Sequence, residues 1–204
     1  MKSKKTLIIL ILVFVLLIAG ASVLYKNLSQ TMAPDQLAVQ ETQPPVPTET
    51  QPEAPTDGHE ETEDSLMMAP DFTVFDAEGN PVNLSDFFGK PLVVNFWASW
   101  CGPCKMEMPD FNEKYLELSG EVTFLMVNMT DGSRETVEIA SGFIAEMGYE
   151  FPVFYDTASS AAITYGVYSL PTTFFIDADG HAIAQATGAI DASTLQRGID
   201  MIAP

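Results

Sequence analysis

Only two cysteines occur in the 204 residues, Cys101 and Cys104, three positions apart. Two histidines accompany them, His59 and His181, and there is no second cysteine pair. A structural zinc site takes four ligands, so this inventory argues against one, and no metal site is expected. A bond between the two thiols closes a loop of four residues, where the entropic gain is near its minimum. Bases are scarce as well: nine Lys and Arg stand against 28 Asp and Glu, for a net charge of −19. Nine of the acids fall between residues 33 and 66, and four of the bases within the first 32. Residues 67–204 therefore carry −14. A surface of that sign makes nucleic acid an unsuitable partner. It equally disfavours direct adhesion of this part of the chain to anionic lipid. No internal repeat is present.

What the chain does contain divides it into three. Residues 1–24 hold Lys2, Lys4 and Lys5, then an unbroken apolar run from Leu7 to Gly20 that continues to Leu24. Eighteen such residues make about 27 Å of helix, close to the thickness of a hydrocarbon core. The preceding lysines orient the rest of the chain outward. This predicts an uncleaved signal-anchor, although Ala19-Gly20-Ala21 supplies a cleavage pattern. Residues 25–66 are expected to form a disordered acidic tether, rich in Pro, Thr and Glu; from Ala33 onward no Lys, Arg or aromatic residue occurs. Residues 67–204 are long enough for one domain with its own core.

Within that domain the strands read from residue type. Phe72–Asp76 and Val82–Leu84 suggest an N-terminal hairpin around Ala77–Pro81. Pro91–Trp97 and Val122–Met129 suggest buried central strands. Helices are expected from the cysteines to about Ser119, with a kink at Pro109, from Ser133 to Met147, over Ala158–Tyr165, and from Asp191 to Ile202. Thr172–Asp177 and His181–Thr187 flank the turn Asp177-Ala178-Asp179-Gly180. This pattern predicts an α/β fold: a mixed central sheet flanked by helices, with an N-terminal β-hairpin and an inserted helix.

The cysteine pair follows a buried strand and opens a helix. Unpaired amides and the helix dipole there stabilise a thiolate at Cys101. Cys104 lies one turn further in, within reach of a mixed disulfide on Cys101. Gly102 allows close approach of a partner chain, and Pro103 suits the first helical turn. A bond that fastens little is readily made and broken, so the spacing points to redox exchange.

The segment Asn95–Pro109, NFWASWCGPCKMEMP, resembles the active-site segment of the thioredoxin superfamily. It is most similar to the TlpA/ResA-type membrane-anchored thiol-disulfide oxidoreductases. A second segment, Tyr165–Gly180 (YGVYSLPTTFFIDADG), resembles the cis-proline loop of that family, and Ala69–Lys90 resembles its opening. The resemblance implies an exposed nucleophile at Cys101 and a resolving thiol at Cys104. Pro171 is implied to be a cis-proline facing the disulfide, with the backbone of Leu170 pairing with substrate and Trp100 flanking the site. Asn95 stands where thioredoxin has a buried acid, and Glu107 is implied to serve in its stead. Glu107 also borders the buried helical stripe, where a carboxyl would hold its proton more tightly and exchange it with a thiol. The family implies reduction of disulfides in protein substrates, often apocytochrome c, with electrons from a membrane thiol carrier. No cofactor beyond the redox-active pair is expected, and the expected location is the outer face of a bacterial membrane.

Three alternatives compete with this reading on the same fold. A thiol oxidase would run the exchange backwards. A peroxidase would need a peroxidatic cysteine in its own loop. A copper-binding module would want Cys-x-x-x-Cys and a distal histidine, so the interval here is one residue short. Most of the methionines Met106, Met108, Met126, Met129 and Met147 fit core positions better than a copper path, and Asp177-x-Asp179-Gly180 lacks the rest of a calcium loop.

Overall fold

The computed structural model describes residues 37–39, 66–118 and 120–203. The signal-anchor expected over residues 1–24 lies outside them, as does most of the tether. Among the described residues, no helix is long and apolar enough to cross a membrane.

Eight strands form one mixed sheet: β1 (Leu37–Val39), β2 (Thr73–Phe75), β3 (Pro81–Asn83), β4 (Leu92–Trp97), β5 (Thr123–Asn128), β6 (Val153–Tyr155), β7 (Thr172–Ile176) and β8 (Ala182–Thr187). Their order is β1-β8-β7-β4-β5-β6-β2-β3. The pairs β4–β5 and β5–β6 are parallel, and β4–β7, β7–β8 and β2–β3 are antiparallel. Among the described residues the sheet is accompanied by a 3-10 turn (Leu84–Phe87) and by the helices α1 (Gly102–Glu117), α2 (Val137–Met147), α3 (Ser160–Thr164) and α4 (Ala192–Ile202). The short helix expected near residue 160 is α3, inserted between β6 and β7.

Two elements differ from the sequence reading. First, Leu37–Val39 lies inside the predicted tether yet pairs antiparallel with β8. Leu-Ala-Val is an apolar triplet in an otherwise polar stretch, and Leu37 is buried in the core, which gives this pairing an apolar anchor. Second, α2 begins at Val137, not Ser133. The Asp131 carboxylate collects the amides of Ser133, Arg134 and Glu135 (2.7, 2.8 and 3.0 Å) and holds them as a turn. Thr136 then caps the helix through Ile139 N–H. The helix expected from the cysteines is α1, which holds Pro109 in its interior and ends at Glu117.

Side chains alternate across β4, and both faces are covered. Leu92, Val94 and Phe96 join one apolar cluster with Phe72, Leu125 and Phe174. Val93 and Trp97 join the other with Met108, Phe111, Phe175 and Leu195. Asn95 shares this second face, so β4 aims one polar side chain at α1.

Two helical glycines differ in what surrounds them. Gly198 is buried in α4, and an added Cβ would overlap the Phe175 ring, itself fully buried. Gly142, exposed on α2, has nothing within 4 Å of that position. Alanine favours a helix by about 1 kcal/mol over glycine, whereas overpacking costs about 1–3 kcal/mol or more. Gly142→Ala is therefore expected to raise stability by roughly 0.5–1 kcal/mol, and Gly198→Ala to lower it by roughly 1–2 kcal/mol. Urea unfolding of both variants checks the opposite signs.

Candidate active site

Strand β4 ends at Trp97, which is fully buried and packs on Phe143 at 5.9 Å between ring centroids. A four-residue connector leads to α1. It closes as a turn, with Cys101 N–H donating to the Ala98 carbonyl at 3.1 Å. Cys101 has extended backbone (φ −79°, ψ 109°) and is the N-cap of α1. Its Sγ accepts the Cys104 N–H at 3.2 Å, so the sulfur satisfies one of the helix's orphan amides. Pro103 lies in the first turn, where its missing N–H removes no helical bond. Cys101 and Cys104 are joined in a disulfide, with Cα atoms 5.3 Å apart.

Cys104 is fully buried. Cys101 retains only 5% exposure, so the expected protruding nucleophile is instead a sulfur-bearing residue in a cleft wall. The turn starts from covered chain, Trp97 and Ala98 at its entry being fully buried, and this keeps Cys101 low in the surface. The cleft has a volume of about 550 Å³. Trp100, Gly102 and Pro103 line it from one side, and Val167, Tyr168 and Leu170 from the other. The Leu170–Pro171 peptide is cis. Pro171 itself is buried behind this wall, and Leu170 forms the lining. Thr172 Oγ1 donates to the Ser169 carbonyl at 2.8 Å and steadies the loop. Thus Trp100, Cys101, Gly102, Pro103 and Leu170 share one cleft, as the sequence suggested.

Glu107 occupies the covered side of the same helix turn. It is 2% exposed and lies three residues after Cys104, on a neighbouring part of the helix surface. Asn95 Nδ2 donates to its Oε1 at 2.8 Å, and Ile190 N–H donates to its Oε2 at 3.0 Å. Burial pushes its pKa up to about 7, the hydrogen bonds from Ile190 and Asn95 limiting the rise. Asn95 also donates to Thr173 Oγ1 at 3.0 Å, its direct partner across β7. The Asn95 Oδ1 acceptor is buried without a partner. That orphan has a chemical reading. When Glu107 is protonated, a rotated Asn95 amide presents its oxygen where the NH₂ now stands and accepts the new O–H.

Three contributors, Tyr168, Asp131 and Arg134, were not singled out from sequence, and Met129 was expected in the core. Tyr168 is 98% exposed at the cleft mouth, although it sits inside the quoted loop segment. Met129 and Asp131 line the cleft, and the Arg134 guanidinium lies 3.9 Å from the Trp100 ring centroid. Only the turn signal around Asp131 was visible in sequence; nothing local tied Arg134 to Trp100.

Comparison with known proteins now adds what geometry alone cannot. Residues 67–185 match the AhpC/TSA family. The thiol-disulfide oxidoreductase ResA of Bacillus thuringiensis is 38% identical over 139 residues, spanning 67% of this chain and 77% of that protein. The chain belongs to the ResA-type thiol-disulfide oxidoreductases of the AhpC/TSA family. ResA of Bacillus subtilis is 34% identical over 137 residues, covering 67% and 74%. Among solved structures, a thiol:disulfide interchange protein DsbE from Chlorobium tepidum superposes with a TM-score of 0.59 at 32% identity, covering 67% of this chain and 95% of that one. StoA from Bacillus subtilis superposes at 0.56 with 26% identity, covering 64% and 97%. The fold is thioredoxin-like. For a ResA-type enzyme the parts have plain chemical uses: a sulfur at a helix start, a second sulfur behind it, and a carboxyl able to take a proton near neutral pH.

Proposed function

We propose that this enzyme reduces disulfides in exported proteins at the outer face of a bacterial membrane. Residues 1–24 would hold it there, and the chain up to residue 66 would set its distance. The observation that carries the reading is the Cys101–Cys104 disulfide in the cleft wall, its outer sulfur capping α1. The Cys101 thiolate attacks one sulfur of a substrate disulfide. The substrate S–S bond breaks, and one substrate thiolate leaves and takes a proton. Cys104 then gives its proton to Glu107 and attacks Cys101 Sγ. The second substrate thiolate departs, two electrons have passed to the substrate, and the Cys101–Cys104 bond is restored. A membrane thiol carrier would reduce it again, and apocytochrome c cysteines are among the proposed substrates.

Cys104→Ser tests the reading. Without the resolving thiol, mixed disulfides through Cys101 should accumulate, and mass spectrometry of the adducts would name the substrates. Absence of adducts after exposure to exported proteins would sink it.

One observation favours a second reading, oxidation of substrate dithiols. The Cys104 amide on Cys101 Sγ stabilises a thiolate and hence the reduced enzyme. A reduction potential near that of thioredoxin, about −270 mV, supports the reductase, and one above roughly −150 mV the oxidase. Copper carriage by the cysteines with His181 finds no support in the fold. His181 follows β7 at Ile176, which pairs with Leu92, while the cysteines follow Trp97. Five residues of strand, roughly 16 Å, separate the two ends. His181 is also engaged, its Nδ1 3.1 Å from Asp177 Oδ2.

A further inference from the structure

Three carboxyls of the domain are almost wholly covered: Glu107, Asp156 and Glu135. Glu107 serves the thiols, and Asp156 accepts the amides of Ser160 and Ala162 at the start of α3. Glu135 has had no role so far, and it is fully buried. Both its oxygens are committed. Oε1 accepts Ser99 N–H at 2.8 Å and Asn128 Nδ2 at 2.7 Å. Oε2 accepts Ser99 Oγ–H at 2.6 Å. Asn128 is the last residue of β5 and pairs with Trp97, the last of β4. Glu135 thus ties the ends of both central strands to the residue two positions before Cys101.

The loop that carries it is fixed in turn. Asp131 Oδ1 accepts the amides of residues 133, 134 and 135, and Gly132 N–H donates to the Glu135 carbonyl at 3.0 Å. From the same loop, Arg134 covers the Trp100 ring. The connector is therefore gripped at Ser99 by a buried carboxyl and at Trp100 by a cation. An uncompensated buried carboxyl is costly, so its three donors, all from the connector and the strand end, make their alignment favourable.

We propose that the 131–135 loop is a clamp on the active-site connector, with Glu135 the positioning residue that keeps Cys101 Sγ over the helix amide. The proposal rests on the thiol-exchange reading of the site and is independent of the direction of electron flow. Displacement of the connector would carry Sγ away from Cys104 N–H and weaken thiolate stabilisation. The charged groups nearest in sequence to the connector and on the loop are Lys105 and Glu107 in the first turns of α1, and Asp131, Arg134 and Glu135 itself on the loop.

The test is the rate of Cys101 alkylation by iodoacetamide against pH, in the full chain carrying Cys104→Ser so that one thiol reports. Glu135→Ala should slow alkylation at pH 7 about ten-fold and move the profile to higher pH. Glu135→Gln can accept from Ser99 N–H with its oxygen and reach Ser99 Oγ with its NH₂, so it should restore the rate to within about two-fold. A folded Glu135→Ala protein, judged by near-UV circular dichroism, with an unshifted profile overturns the proposal. So does a Gln variant as slow as Ala, since restoring the hydrogen bonds to Ser99 would then fail to restore the position of Sγ. Should the alanine variant not fold, Ser99→Ala removes the 2.6 Å contact alone and should slow alkylation about two- to three-fold; an unchanged rate overturns the clamp. Alkylation needs no disulfide substrate. A clamp effect in a protein that forms no adducts would thus sink the functional reading and leave the clamp standing.

Discussion

Cys101→Ser is expected to abolish disulfide turnover, by roughly 10³-fold or more, while Cys104→Ser keeps a single round of attack. The asymmetry follows from placement. Cys101 lines the cleft with its sulfur on the Cys104 amide, so it alone combines access with thiolate stabilisation. Cys104 is fully covered. A serine at 101 can keep the cap hydrogen bond, because hydroxyls cap helices well. Stability should change little beyond the loss of the four-residue crosslink, whose entropic worth is small. The loss is therefore chemical: a hydroxyl is a poor nucleophile without an adjacent base. Insulin reduction with dithiothreitol as electron source measures turnover, and thermal unfolding measures stability. Comparable turnover for Cys101→Ser and wild type would remove Cys101 from the chemistry.

Glu107→Gln is expected to abolish most of the pH dependence of stability in the oxidised enzyme. In the folded chain burial raises the Glu107 pKa to about 7, against an ordinary value of 4.5. Between those values the folded state holds a proton that the unfolded state has lost. Stability therefore falls as pH rises from about 4.5 to 7 and levels off above. Each unit of displacement corresponds to about 1.4 kcal/mol, so the fall is of order 3 kcal/mol. A neutral glutamine resembles the protonated form. Its oxygen can accept Ile190 N–H, and its NH₂ can donate to a rotated Asn95 amide, giving the orphaned Oδ1 a partner. At pH 8 the variant should be the more stable by about 2–3 kcal/mol, and at pH 4 the two should nearly coincide. Urea unfolding at both values decides it; an unchanged slope in the variant would show that Glu107 ionises like an exposed acid. Activity should move the other way. Without a proton acceptor, resolution by Cys104 should slow by about 10²-fold, and the limb of kcat/KM near pH 7 should vanish.

Much of this site was legible because its determinants are local. Asn95–Pro109 carries strand, connector, cap, both thiols and Glu107 in fifteen consecutive residues, and the helical spacing of Cys104, Met108 and Phe111 put Glu107 beside the buried stripe. The Leu170–Pro171 loop was legible only through its resemblance, since a proline before a strand has no distinguishing local pattern. What escaped was non-local or competed with a local preference. Ser133 looked like a cap, but Asp131 two residues earlier is the better acceptor for those amides. Glu135 fell within the first turn of the helix expected from Ser133 and drew no role of its own; its role depends on Ser99 and Asn128, 36 and seven residues away. The exposure of Cys101 was overestimated because helix position says nothing of what packs over a connector. Leu37 was lost in a polar stretch because the β8 edge that receives it lies about 150 residues on.

The sulfur that caps α1 has a consequence for how the molecule accommodates its own chemistry. In the closed disulfide, in a covalent adduct and as a free anion, the same atom keeps lone pairs for the Cys104 amide. The reaction exchanges the sulfur bonded to that atom, Cys104 Sγ in the closed state and a substrate sulfur in the adduct, without taking away the acceptor that caps the first turn. The scaffold at the entrance therefore stays constant through the cycle, and whatever adjustment the change of state requires falls on the inner sulfur and its enclosed surroundings.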